Sequence, residues 1–391
     1  MMKRVLLALA TAAVAGGTLA ADKSITVISF GRADQAALRE AYFHPFTTTK
    51  HIDVKSLSYD GQTTELKQMA KTGTASWDVI QVESRTLKLG CESGLFEKLD
   101  LNRLEVPRDD FVPGALSECG AGIFSWGVAL AYNGDKLAVS PRSWADFWNV
   151  EEFPGKRGLR RSAKYTLEIA LLADGVRPED VYKVLSTKAG VDRAFRKLDR
   201  IKDHVIWWTA APDPQLYLAD GRLVMTTAYT LWLTRDLPIH PNLRIAWQQS
   251  LYDIDSWAIP KNTPKVADAY AFISFASRPE NQERLSEQIA YGPTNKATVA
   301  MLRKETLAAL PAGENLKTAL KIDADFWIRN AETLEKRFDA WAPLLCAQQT
   351  DEDEDAVDYK GRAVCQDNRG NMRPVSADAV SATPGHHAHS H

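Results

Sequence analysis

Only four cysteines occur in the 391 residues, at Cys91, Cys119, Cys346 and Cys365, and no two are spaced Cys-x-x-Cys. That spacing excludes a thioredoxin-like redox pair and argues against a structural zinc site. Histidine is equally scarce where it would matter: half of the eight histidines fall in the last six residues. His44, His51, His204 and His240 have no evident partners for acid–base work or metal binding, and no metal or other cofactor is expected. Gly-x-Ser-x-Gly, His-Glu-x-x-His and a glycine-rich phosphate loop are all missing, which removes the common hydrolase and nucleotide-binding signatures. There is no excess of positive charge either. Forty-eight basic against 50 acidic residues give a net charge of −2, so no nucleic-acid partner is expected.

Long apolar runs are also absent beyond the N-terminus. Met1-Met2-Lys3-Arg4 is a basic start, Val5 to Ala15 is apolar but too short to span a bilayer, and small residues precede Ala20. Residues 1–20 therefore read as an export signal, with a mature protein beginning near Ala21 outside the cytoplasm. Loss of Lys3 and Arg4 from the 48 basic residues leaves 46 against 50 acidic ones, a mildly acidic mature chain. An oxidising compartment makes the four cysteines candidates for disulfides. Three pairings are possible, and Cys91–Cys119 with Cys346–Cys365 is favoured because it closes short loops.

What is present is an alternation of strand-like and helix-like segments. Ile25–Phe30 reads as a buried strand, Gln35–Tyr42 as helix, His51–Ser56 and Trp77–Val82 as strands, with a helix from Thr63 to Lys71 between them. The unbroken apolar stretch Ile123–Tyr132 reads as a strand passing from one lobe to another. A second series of helices and strands follows: the chain returns through Arg244–Trp247, Tyr252–Ala258 reads as the second crossing, and an amphipathic helix covers Ala324–Trp341. About 370 mature residues exceed one comfortable core, so two α/β lobes of mainly parallel sheet are expected. The lobes are placed at 21–130 with 256–300 and at 131–255 with 301–345. After Trp341 come five consecutive acids, Asp351–Asp355, and a His-rich end, read as a solvated extension over 346–391 with a composition that could also scavenge a metal.

The segment Leu251–Pro260 sets Asp253 and Asp255 two residues apart among aromatics, on one face if the run is a strand. The helix after it is expected to be capped by Thr263 with Pro264 in its first turn. From Tyr252 to Thr298 the chain resembles the solute-binding proteins of bacterial spermidine/putrescine-type ABC importers. Asp255-Ser256-Trp257-Ala258-Ile259-Pro260, Ala269-Tyr270-Ala271-Phe272-Ile273, Arg278-Pro279-Glu280 and Tyr291-Gly292-Pro293-Thr294-Asn295 carry the likeness, which extends from about Ile25 to Trp341.

The resemblance implies a type II periplasmic-binding-protein fold: two lobes, crossing strands as a hinge, and a solute held between them for delivery to membrane permease subunits. A monomer without catalytic activity is expected. It also implies site positions. Phe30 and Asp34 follow the first strand, Glu83 and Arg85 follow the third, Tyr229 stands where a Trp cups the ligand, Asp255 coincides with the amine-binding Asp, and Tyr291 matches an aromatic of the closing loop. Departures accompany these matches. Ser162 and Tyr165 stand where polyamine binders carry cleft acids, Arg160, Arg161 and Lys164 lie beside them, and Asp253 replaces a Trp. If Arg85 and Lys164 face the cleft, the ligand carries a carboxylate; if they point to solvent, the acids dominate and polyamines are favoured. Two other readings stay open: an exported enzyme using Asp253 and Asp255 as a carboxylate pair, and ferric-ion binding, which would want adjacent tyrosines that the chain lacks.

Overall fold

Ser24–Phe30 (β1) is rich in β-branched residues, and Ile25, Val27 and Ile28 are fully buried, as suits a strand covered on both faces. It takes parallel partners on both sides, Asp53–Tyr59 (β2) and Val79–Val82 (β3). The computed structural model describes residues 23–342 apart from Arg32 and Leu237, and two short strands at Val364–Gln366 and Met372–Pro374. Residues 1–22, Cys346 and the acidic and His-rich segments lie outside the described residues.

Two long strands organise everything else. Gly120–Asn133 (β4, 14 residues) and Leu243–Ala258 (β8, 16 residues) pair antiparallel along most of their length. The second half of β8 carries the β2–β1–β3 block, through pairing of Ser256–Ala258 with β3. The second half of β4 carries the other block: Met225–Tyr229 (β7), then Arg157–Arg160 (β5) and Val205–Trp208 (β6), the last three mutually parallel. Gly292–Pro293 (β9) joins β4, and Leu320–Lys321 (β10) joins β8. The outer strands are parallel within each block, and the two crossing strands link the blocks. The expected lobe boundaries near 130 and 255 fall inside these crossing strands.

Each block has its own core. Tyr42, Phe46, Trp257 and Phe272 centre one, and Trp144, Phe147, Trp207, Trp327 and Phe338 the other. The segment between β4 and β5 supplies part of the second core through the helix Trp144–Trp148. Its start is fixed by Ser143, whose hydroxyl accepts from the Asp146 N–H while the Asp146 carboxylate accepts from the Ser143 N–H.

Three local expectations are corrected. The return over Arg244–Trp247 and the crossing over Tyr252–Ala258 are one strand, bulged where its register with β4 shifts and where Gln249 adopts φ 57°. The helix after β8 runs Val266–Ala276, so Pro264 precedes it; the Thr263 hydroxyl accepts from the Lys265 N–H (3.1 Å) while donating to the Asp78 carboxylate. The first helix covers Ala33–Leu38 and passes through a π-helical turn, Arg39–Phe43, into His44–Lys50.

Cys91 and Cys119 form a disulfide, with their Cα atoms 5.8 Å apart, tying the helix Ser84–Glu92 to the start of β4. The second expected pair involves Cys346, outside the described residues. Among the described residues, no helix is long and apolar enough to cross a membrane.

Candidate functional site

The carboxyl ends of β1, β3, β5, β6 and β7 all open onto one cleft of about 300 Å³, crossed by β4 and β8. Ligands of open α/β sheets lodge outside the carboxyl ends of strands, because the loops there leave backbone and side chains free to converge. Phe30, Asp34, Glu83, Tyr229, Asp255 and Tyr291 line the cleft together, six of the eight positions singled out in the sequence.

Asp255 lies at the floor, only 4% exposed. Its carboxylate accepts from the Gln81 side-chain amide (2.8 Å) and from the Trp126 indole (3.0 Å). Gln81 is oriented for this task, since its own side-chain oxygen accepts from the Phe30 N–H (3.2 Å), leaving the NH₂ to face Asp255. Burial drives the Asp255 carboxyl well above the ordinary carboxylate range. The neighbouring Glu83 and Asp253 push it further, and the two donors only partly offset this. Such a carboxyl lacks a counter-charge. Asp34, close by, accepts from the Tyr291 hydroxyl (2.9 Å) and is also raised by burial.

Aromatic rings make up most of the remaining wall. Tyr291 stacks on Phe124, centroids 3.9 Å apart and planes 5° off parallel, and Phe30 stacks on Tyr59 at 5.0 Å. Trp126, Tyr165 and Tyr229 form a mutually tilted trio with centroids 6.0–6.4 Å apart. Tyr165 is held at φ 75°, ψ −44° inside the first turn of Ala163–Ala173, a conformation uncommon for a residue with a side chain. The turn around it is pinned by Glu335 of the helix Ala324–Trp341. That carboxylate accepts from the Ser162 hydroxyl (2.8 Å) and from the N–H groups of Ala163 (2.9 Å) and Lys164 (3.2 Å).

Two expected residues stand elsewhere. Arg85 is exposed on the helix after β3 and does not line the cleft. Asp253 shares a face with Asp255, but two residues along a strand is a step of about 7 Å. That step carries it past the cleft to the Ser84 hydroxyl and the Ile254 N–H, from which it accepts. It is buried and bonded in place, so the two aspartates do not form a reacting pair. Trp126 lies in the apolar run Ile123–Tyr132 expected as a crossing strand. Its place beside Asp255 follows from the β4–β8 register, which sets Trp126 opposite Asp253 and Phe124 opposite Asp255. Phe124 and Trp232 also belong to the wall and carried no local signal.

The lining contains three carboxylates and seven rings but no lysine or arginine. An ammonium group suits it: carboxylates neutralise the charge, and ring faces attract what the carboxylates leave exposed. Among the described residues, no cluster of His, Cys, Asp and Glu has the make-up of a metal centre.

Residues 41–314 match the family described as bacterial extracellular solute-binding protein. A gamma-aminobutyric acid-binding protein of Pseudomonas aeruginosa is 50% identical over 331 residues, covering 84% of this chain and 94% of that one. The spermidine/putrescine-binding periplasmic protein of Escherichia coli is more distant, 22% identical over 66% of this chain and 75% of its own. Among solved structures, an ABC transporter substrate-binding protein from Bradyrhizobium japonicum superposes with a TM-score of 0.72 at 30% identity, covering 82% of this chain and all of that one. With its two-block α/β sheet, crossing strands and interblock cleft, the chain belongs to the bacterial extracellular solute-binding proteins, as a substrate-binding subunit of an ABC importer and not an enzyme.

Proposed function

We propose that the protein captures a short ω-amino acid of the 4-aminobutyrate type in the periplasm, after removal of residues 1–20, and presents it to the permease of its importer. The observation that carries this reading is Asp255: a buried carboxylate with two fixed donors, no counter-charge, and a cage of rings beside it. A primary ammonium group supplies the missing charge. The limited volume of the cleft favours a short solute over a long one. The 50% identical relative is named for gamma-aminobutyric acid, whereas the polyamine-binding relative stands at 22%.

One observation favours a second reading. The lining has acids and no cation, which would also suit a short diamine such as putrescine. A thermal-shift comparison of 4-aminobutyrate, putrescine and spermidine separates them, because a solute that binds only the folded protein raises its melting temperature. The proposal expects the largest rise with 4-aminobutyrate; a larger rise with putrescine or spermidine would replace it by the diamine reading.

A further inference from the structure

We infer that Arg160 receives the carboxylate of the ligand and thereby sets the preference for an ω-amino acid over a diamine. This deepens the proposed function and rests on it. Arg160 is the last residue of β5, at the carboxyl end where the following loop meets the cleft. Its guanidinium lies 5.3 Å from the ring centroid of Tyr165 and 5.9 Å from that of Tyr229, and both rings line the cleft. The side chain is half-buried, and among the described residues no carboxylate lies within ion-pair distance of it. A partly desolvated guanidinium held against ring faces keeps its N–H edges free. Those edges match a carboxylate in a two-point geometry that lysine lacks.

The other anion-binding groups near the cleft are engaged, exposed or less suited to a carboxylate. Arg161 is committed to Asp339 at 2.9 Å. The N-terminus of Ala163–Ala173 is filled by the protein's own Glu335. Lys164 also lies over the Tyr165 ring, its ammonium 5.3 Å from the centroid, but a point charge there lacks the two-point geometry of a guanidinium and touches one ring where Arg160 touches two. Arg85 is exposed on the helix after β3; Arg160 also stands outside the lining itself but is held against two of its rings. Arg160 is left, and it belongs to the block opposite the one that supplies Asp34, Glu83 and Asp255. An ω-amino acid would therefore join the two blocks, ammonium on one and carboxylate on the other, and its length would be read by the gap between them.

The test compares 4-aminobutyrate with 4-aminobutanamide, which keeps the ammonium and replaces the carboxylate by a neutral amide, by calorimetry in the parent protein and in Arg160→Gln, Arg160→Lys and Lys164→Gln. The parent should prefer the acid strongly. Arg160→Gln should lose about ten- to a hundred-fold in affinity for the acid while keeping its affinity for the amide, so that the preference nearly vanishes. Arg160→Lys should retain part of the preference, and Lys164→Gln all of it. The ratio is read within one variant, so general damage to the cleft does not mimic the effect. Parent-like preference in Arg160→Gln overturns this inference alone. A parent protein that binds putrescine and not 4-aminobutyrate overturns the proposed function and this inference with it.

Discussion

Asp255 shows how little a single residue settles without its neighbours. Its type and position suggest an amine site, yet its behaviour comes from Gln81 and Trp126, which hold it, and from Glu83 and Asp253, which crowd it. Asp255→Asn keeps the shape and removes the charge. Calorimetry should then show affinity for an ammonium ligand reduced by about ten- to a hundred-fold, the worth of a charge-assisted hydrogen bond in a dry cleft; parent-like affinity in a folded variant would remove Asp255 from the site. The raised carboxyl adds a pH dependence. A bound ammonium favours the ionised form, so binding releases a proton, and affinity should climb with pH above the ordinary carboxylate range and fall as the medium is acidified. Titrations across that range in buffers of different ionisation heat would detect the released proton, and a flat profile would contradict the assignment. Asp253, two residues away, was indistinguishable from Asp255 by type. Only the position of Ser84 after β3 separates them, by giving Asp253 a fixed hydroxyl partner outside the cleft.

At the scale of elements, the helix Ala163–Ala173 is the most instructive. It carries Glu168, fully buried, whose carboxyl accepts from the Trp327 indole (2.7 Å) and the Tyr182 hydroxyl (3.0 Å). Burial nonetheless raises it to about 7 from an ordinary 4.5. The folded protein thus holds this proton more tightly than the unfolded chain. The stability it confers is fully present below pH 4.5 and is lost as pH rises towards 7, by about 3 kcal/mol. Urea unfolding at pH 4.5 and at pH 7 should show Glu168→Gln gaining on the parent over that interval, and a constant difference would contradict it. Elements with strong patterns were legible in the sequence: β1 from its β-branched run, β4 from the apolar, proline-free run Ile123–Tyr132, and Ala324–Trp341 from its apolar stripe. Tyr165 was not, beyond standing where an acid was expected. Its left-handed turn depends on Glu335, 170 residues further along the chain, and no local pattern reports such a contact. Trp126 was hidden for a related reason, since only strand register turns an apolar-run tryptophan into a cleft residue.

For the whole molecule, two strands do most of the organising. β4 and β8 belong to both blocks, and the bulge of β8 around Gln249 is where that link is least regular. The disulfide between Cys91 and Cys119 stiffens one block alone, closing a separation of 28 residues. Replacing both cysteines by serine should lower unfolding stability by roughly 3–4 kcal/mol, measured by urea titration, while leaving solute affinity nearly unchanged; a comparable loss of affinity would place the link in the binding mechanism. The lobed architecture was legible because alternating strands and helices at this length leave few alternatives. The ligand was not, because charge in the cleft depends on which side chains turn inward: Arg85 turns out, and Arg160 lies against the cleft rings. The most direct test of the account is a calorimetric titration of the parent protein with 4-aminobutyrate, putrescine and spermidine in turn. One molecule of 4-aminobutyrate should bind per chain, more tightly than either amine. Tighter binding of spermidine, or no heat with 4-aminobutyrate, would contradict it.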